Sequence, residues 1–287
     1  MIKPFYLTEE AINDFIKSAL KEDIGEGDHS SLAAIPDDCI SKAKLLVKAD
    51  GLIAGLELAE KIFHFYDPAL TVTFQKKEGD PIKPGDIAFI VQGPARSLLS
   101  TERLVLNCMQ RMSGIATYTH QLCQLIKGTS ARLMDTRKTT PNFRLAEKWA
   151  VMIGGGLNHR YALYDMIMLK DNHIDMAGGI ENAINNTKDY LARHNKKLKI
   201  EVETRTLDEV KEVLRVGGVD VIMLDNMSTT LMKEAVALID GRYKTEASGG
   251  ITELTLRNVA ECGVDYISVG ALTHSVKSLD LSLKVLE

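Results

Sequence analysis

From about residue 130 onward the chain repeats one pattern: a short apolar run, a polar or glycine-bearing end, then a stretch with helical spacing. The runs are "ARLMDTRK", "YDMIMLKDNHI", "KIEVETRT", "VDVIMLDNMS", "YKTEASGGI" and "VDYISVGALTHS". Runs this apolar belong to strands buried on both faces, and strands alternating with helices form a parallel sheet. Their number and spacing predict an α/β barrel, with a doubly wound sheet as the structural alternative. The barrel is favoured because residues capable of chemistry close nearly every run. They are Arg137 and Lys138, Lys170, Glu203, Asp225, Ser248 to Gly250, and Gly270. Barrel folds build their sites at the C-terminal ends of strands.

The first hundred or so residues have a different rhythm. Residues 8 to 23 predict an amphipathic helix, with Thr8 as N-cap and Ile12, Phe15, Ile16 and Leu20 at helical spacing. "GEGDHSS" breaks the chain after it. "SKAKLLVKADGLIAG" and "LTVTFQKKEGDPIKPGDIAFIVQGPARSLLS" alternate apolar and polar residues between turn residues, which predicts antiparallel strands. "TERLVLNCMQRMSGIATYTHQLCQLI" then reads as a long helix with a glycine in its middle. A small α+β domain is expected here. The apolar spacing of the final "LDLSLKVLE" suits a segment that returns to it.

Charge narrows the function. The formal net charge of −4 over 287 residues argues against broad binding to nucleic acid or an anionic membrane. Yet "DTRKTTPNFRLAEKWAVMIGGGLNHR", residues 135 to 160, concentrates arginines and lysines around a Gly-Gly-Gly turn and a histidine. Fixed cations beside flexible backbone point to a local site for a multiply charged anion. The four cysteines are scattered, with no CxxC pair, as expected of free thiols in a reducing compartment. The first residues contain no apolar core of signal-peptide length, and a cytoplasmic protein is expected.

Each candidate has a bland reading beside the functional one. Lys170, behind an apolar strand, is either a site lysine or the partner of Asp171 or Asp175. Glu201 and Glu203 share a face by period-two alternation, so carboxylates enter the barrel and need partners there. A structural ion pair with Lys170 would satisfy them equally well. "ASGGI" and "VGALT" are turns that let backbone amides approach a phosphate. His159, between the glycine run and Arg160, is a better anion donor than His173. His29, His64, His120 and His194 read as structural, and Arg103 as an ordinary helix charge. A barrel aldolase forming a Schiff base on Lys170 would use the same strand end and glycine loops. It leaves Arg137, Lys138 and Arg160 together unexplained.

These blocks closely resemble the quinolinate phosphoribosyltransferase family. The resemblance rests on "DTRKTTPNFRLAEKWAVMIGGGLNHR" with "MLKDNHI", "EVE", "LDN", "ASGGI" and "SVGALTHS", and on "EDIGEGDHSS", "GLIAG", "GPARSLLSTERLVLNCMQRMSGIAT" and "LDLSLK". One departure is "GDHSS", where a threonine is expected at position 30 or 31; serine keeps the hydroxyl. The resemblance implies an N-terminal α/β sandwich over residues 1–112, with 275–287 returning to it. An incomplete, open α/β barrel of parallel strands over 113–274 then carries the active site.

The implied reaction joins quinolinate to phosphoribosyl pyrophosphate with Mg²⁺, giving nicotinate mononucleotide, pyrophosphate and carbon dioxide, a step of de novo NAD synthesis. Lys138, Lys170, Glu203 and Asp225 carry over as catalytic residues. Arg103, Thr136, Arg137, His159, Arg160, Ser248, Gly249, Gly250, Val269, Gly270, Ala271 and His274 join them as substrate ligands. Glu203 and Asp225 are the implied Mg²⁺ residues, acting through water. The family also implies a homodimer, or a higher oligomer, in which Arg103 enters the partner's site. A related phosphoribosyltransferase-like protein of molybdenum uptake is the alternative within the resemblance.

Overall fold

The computed structural model describes residues 3–286. Its elements begin with α1 (Glu9–Ile24), α2 (His29–Ala34), β1 (Ile40–Val47), β2 (Gly51–Leu52), α3 (Leu56–Tyr66), β3 (Thr71–Phe74), β4 (Pro81–Ile82), β5 (Ile87–Pro94) and α4 (Ala95–Leu125). The middle of the chain forms β6 (Arg132–Met134), α5 (Arg144–Ile153), β7 (Ile167–Leu169), α6 (Asp171–Ala177), α7 (Ile180–Arg193), β8 (Ile200–Thr204) and α8 (Leu207–Val216). Then come β9 (Val221–Asp225), α9 (Thr229–Ile239), β10 (Lys244–Ser248), α10 (Glu253–Ala260), β11 (Tyr266–Ser268), α11 (Ala271–His274) and β12 (Leu281–Val285).

Two compact units share these elements. The first comprises residues 1–120, 138–155 and 271–287; the second comprises 121–137 and 156–270. The boundary expected at 112/113 falls inside α4, a continuous helix, and the chain crosses between the units more than once.

In the first unit, Thr8 caps α1 by accepting from the Ala11 amide, and Ile12, Ile16 and Leu20 are buried. The "GDHSS" segment, expected only as a break, forms α2. Asp28 caps that helix, accepting from the Ser31 amide at 3.1 Å and from the Ser31 and Ser100 hydroxyls. The serine hydroxyl at position 31 is therefore in use. A four-stranded antiparallel sheet runs β12-β1-β5-β3, so the last strand pairs with the first. Phe63 of α3 meets Phe89 of β5 edge to face at 5.9 Å in its core.

The second unit holds the parallel sheet, in the order β6-β11-β10-β9-β8-β7. A doubly wound sheet reverses its strand order at a switch point. Here the order from β7 to β11 never reverses, and β6 follows β11, as in a barrel opened between β6 and β7. The edge of β6 is covered locally by Leu157, whose amide donates to Leu133 O at 2.8 Å. Strand β8 is buried at every position, including Glu201 and Glu203.

The Gly-Gly-Gly turn has a packing reason at its first residue. A Cβ on Gly154 would lie 2.4 Å from the Ala116 carbonyl oxygen and 2.7 Å from Thr119 Cβ on α4. Backbone cannot yield as a flexible side chain can, so overpacking falls on the helix contact. Gly154→Ala should lower stability by about 1–3 kcal/mol. A denaturant midpoint equal to that of the parent protein is the contrary result.

Candidate active site

All strands of a parallel sheet end on the same edge, and the candidate residues gather there. Thr136 and Arg137 follow β6, Lys170 follows β7, Glu203 lies near the end of β8, and Asp225 and Ser248 end β9 and β10. Gly249 and Gly250 follow β10, and Val269 and Gly270 follow β11; all these residues, with His159 and Arg160, belong to the second unit. Arg103, Lys138, Ala271 and His274 belong to the first unit, and Arg103, Lys138 and His274 are exposed.

Asp135 joins the two halves of the basic segment. It has no exposed surface. One carboxylate oxygen accepts from the His159 amide at 2.9 Å, and the other from Asn158 Nδ2 at 2.6 Å. Its own amide donates to Leu157 O at 3.1 Å. The loop carrying His159 and Arg160 is thereby laid beside the end of β6, which carries Arg137. Arg160 donates to Met166 O at 3.2 Å. Its pKa is lowered by partial burial first and by the Arg137 charge second. Two guanidinium groups close enough to disfavour each other, at the end of a buried sheet, could seat a compact dianion.

His159 is buried, and both ring nitrogens face protein groups. Nδ1 accepts from the Arg160 amide at 2.7 Å, which leaves the ring proton on Nε2. Nε2 lies 2.9 Å from Glu201 Oε2 and 3.3 Å from Glu246 Oε2. Burial opposes charge on the ring, but the hydrogen bond to Glu201 and the nearby carboxylates of Glu201 and Glu246 outweigh it and raise its proton affinity. Burial, and then the negative charge of Glu246, push Glu201 up to about 7. The cluster thus retains a proton that isolated carboxylates would release. In this arrangement His159 orients the Arg160 peptide, and its ring nitrogens are not turned toward an external anion.

At the outer end of β8 the chemistry differs. Glu203 is raised by burial and then by Asp225, while the Lys170 charge lowers it. Asp225 accepts from Asn226 Nδ2 at 2.6 Å. Lys170 is exposed, and Asp175, one of its alternative partners, lies 3.7 Å from Arg205. After β10, Gly249 and Gly250 have φ of 91° and 60°. A Cβ at Gly249 would lie 2.3 Å from Asn226 Oδ1, so both space and conformation require glycine there. Consecutive residues of this kind turn backbone amides outward to receive an anion.

Asp135, Asn158 and Glu246 are structural parts of the site that residue patterns did not single out. Asp135 and Asn158 lie inside the basic segment itself, and Glu246 is a charge in the buried middle of its strand. Those are the signals that could have found them.

Relatives resolve the family. The model described as quinolinate phosphoribosyl transferase, N-terminal domain, matches residues 28–113, and that of the C-terminal domain matches residues 115–284. The chain belongs to the quinolinate phosphoribosyl transferase family. It is 48% identical over 285 residues to the chloroplastic nicotinate-nucleotide pyrophosphorylase [carboxylating] of Arabidopsis thaliana, covering 94% of this chain and 81% of that protein. It is 42% identical over 264 residues to the probable nicotinate-nucleotide pyrophosphorylase [carboxylating] of Bacillus subtilis, covering 92% and 90%. The crystal structure of NadC from Streptococcus pyogenes superposes with a TM-score of 0.90 at 41% identity, covering 98% of this chain and 99% of that one. The superposition extends over both units of this chain.

The glutamate pair has a pH signature. Glu201 is raised above its unfolded value, so its stabilising contribution is complete below about pH 4.5 and is lost as pH rises through about 7. Glu246→Gln removes the neighbouring charge and shrinks that loss. From pH 5 to pH 7 the variant should gain on the parent protein by about 1 kcal/mol, read from paired denaturant melts. A difference independent of pH is the contrary result.

Proposed function

We propose that the chain transfers the phosphoribosyl group of phosphoribosyl pyrophosphate to quinolinate, with loss of carbon dioxide, forming nicotinate mononucleotide and pyrophosphate. The observation that carries this is the pairing of Arg137 with Arg160, which suits an acid with two adjacent carboxylates. Each planar guanidinium can grip one carboxylate in a bidentate manner. Lys138 and Lys170 supply compact donors for pyrophosphate. The amides of Ser248–Gly250, with Thr136, Val269, Gly270, Ala271 and His274, serve the phosphate and sugar. Glu203 and Asp225 accept from the ribose hydroxyls.

In the transfer, the pyridine nitrogen attacks the ribose C1 as the bond from C1 to pyrophosphate breaks. The electron pair leaves with pyrophosphate, and positive charge develops on the sugar. Lys138 and Lys170 stabilise the leaving group more in the transition state than in the ground state. The Glu203 and Asp225 carboxylates offset the charge on the ribose. Decarboxylation follows because the pyridinium nitrogen withdraws the electrons released at C2, which then takes a proton from water. No side chain is required as general base.

A magnesium ion fits the same carboxylates. Burial and the neighbouring Asp225 charge raise the cost of ionising Glu203, which a cation would relieve, and hard oxygen ligands suit Mg²⁺. Held there through water, it would neutralise charge on the phosphoribosyl donor. The free cysteines suit a reducing, cytoplasmic setting. Among the described residues no helix is long and apolar enough to cross a membrane. A Schiff-base aldolase needs a desolvated or otherwise activated lysine, whereas Lys170 is exposed.

The deciding assay measures pyrophosphate and carbon dioxide release with quinolinate, with nicotinate and with neither. Nicotinate lacks one carboxylate and leaves one guanidinium without its ligand, at a cost of about 1.5–3 kcal/mol or more. Quinolinate should release both products, and nicotinate should be a very poor substrate. Comparable efficiency with the two acids removes the two-carboxylate seat.

A two-fold dimer with Arg103 serving the partner's site completes the proposal. Arg103→Ala and Lys138→Ala, each strongly impaired alone, should complement when dissociated together and reassembled. Random pairing makes about half the dimers mixed, each with one intact site of two, so roughly a quarter of full activity should return. No recovery means that Arg103 serves its own chain.

A further inference from the structure

In the first unit a ring of hydrogen bonds encloses the backbone around Lys138. Glu147 of α5 has no exposed surface. Its Oε1 accepts from Arg111 Nε at 3.0 Å, from Arg111 Nη2 at 2.9 Å and from Thr140 Oγ1 at 3.0 Å. Its Oε2 accepts from the Thr140 amide at 2.9 Å. Arg111 of α4 also donates to the carbonyls of Val276, at 2.7 Å, and Thr273. Thr273 closes the ring, its buried hydroxyl donating to Lys138 O at 2.8 Å. The loop is thus held at Lys138 from one side and at Thr140 from the other.

The energetics of such a ring are asymmetric. A buried carboxylate is tolerated only when its lone pairs are satisfied, and here a guanidinium and two further donors satisfy them. Apolar residues of similar volume commonly match the stability of a buried ion pair. What the ion pair adds is a single geometry, because a planar guanidinium fixes the directions of carboxylate and carbonyls at once. Neither Arg111 nor Glu147 lies at the ends of the parallel strands, and their joint target is the loop that bears Lys138.

We infer that Arg111 and Glu147 are positioning residues for the transfer. Through Thr140 and Thr273 they fix the backbone of Lys138, so that its ammonium is aimed where charge develops on pyrophosphate. The inference rests on the role proposed above for Lys138.

A double-mutant cycle tests it, with kcat, the quinolinate KM and the melting temperature measured for each protein. Glu147→Gln keeps the shape and weakens the ring. It should lower kcat about ten- to hundredfold, the effect of a small misplacement, with a smaller change in the quinolinate KM. Lys138→Ala should lower kcat about a hundredfold. The double variant should be no more than about twofold slower than Lys138→Ala, because Glu147 acts through that lysine. Thr273→Val in the same two backgrounds repeats the cycle with less perturbation, and decides the matter if Glu147→Gln does not fold. Equal fractional losses with and without Lys138 would assign the ring to stability alone and overturn the inference. A fully active Lys138→Ala with a slow Glu147→Gln would remove Lys138 from the reaction and the inference with it. The transfer of phosphoribose to quinolinate would still stand on the product assay.

Discussion

A carboxylate with no exposed surface, Asp135, is the tie on which the site depends. It directly follows the first strand of the parallel sheet and binds the His159 amide and the Asn158 side chain. Its unmet lone pairs would be costly at that depth, so the loop of residues 157–160 is drawn in against β6. That contact covers an open strand edge and places two arginines near each other. Partial burial, and then the opposing Arg137 charge, lower the pKa of Arg160. Unfavourable electrostatics concentrated at a strand end are typical of a site shaped for a ligand of opposite charge.

Strand β8 shows how one element serves two layers. Glu201 and Glu203 lie on the same face by the two-residue period, but at different depths. The inner one joins His159 and Glu246, a buried cluster that keeps its proton. The outer one stands beside Asp225 and within the field of Lys170. The inner layer orients Arg160 through its peptide, and the outer layer carries the carboxylates suited to sugar and cation.

Much of this was readable from residues alone, because it is local. The Thr8 cap and the spacing of Ile12, Ile16 and Leu20 specify α1 without reference to the rest of the chain. The apolar runs specify six buried parallel strands, and their last residues specify which positions reach the site edge. Other features were not local. "GDHSS" forms a short helix because Asp28 receives two serine hydroxyls, one of them from α4. Segment 138–155 groups with the first unit although it lies between two strands of the second, and no periodicity announces that crossing.

The sequence by itself determined the strand and helix types, the anionic character of the ligand and the family. Each depends on residue identity and spacing over short stretches. Tertiary structure decided the open order of the sheet, the partners of His159 and the ring around Lys138. These depend on residues as distant in sequence as Asp135 and His159, or Arg111 and Val276. Desolvation is what selects such partners: a polar group must be satisfied only once it is buried, and burial does not exist until the chain has folded.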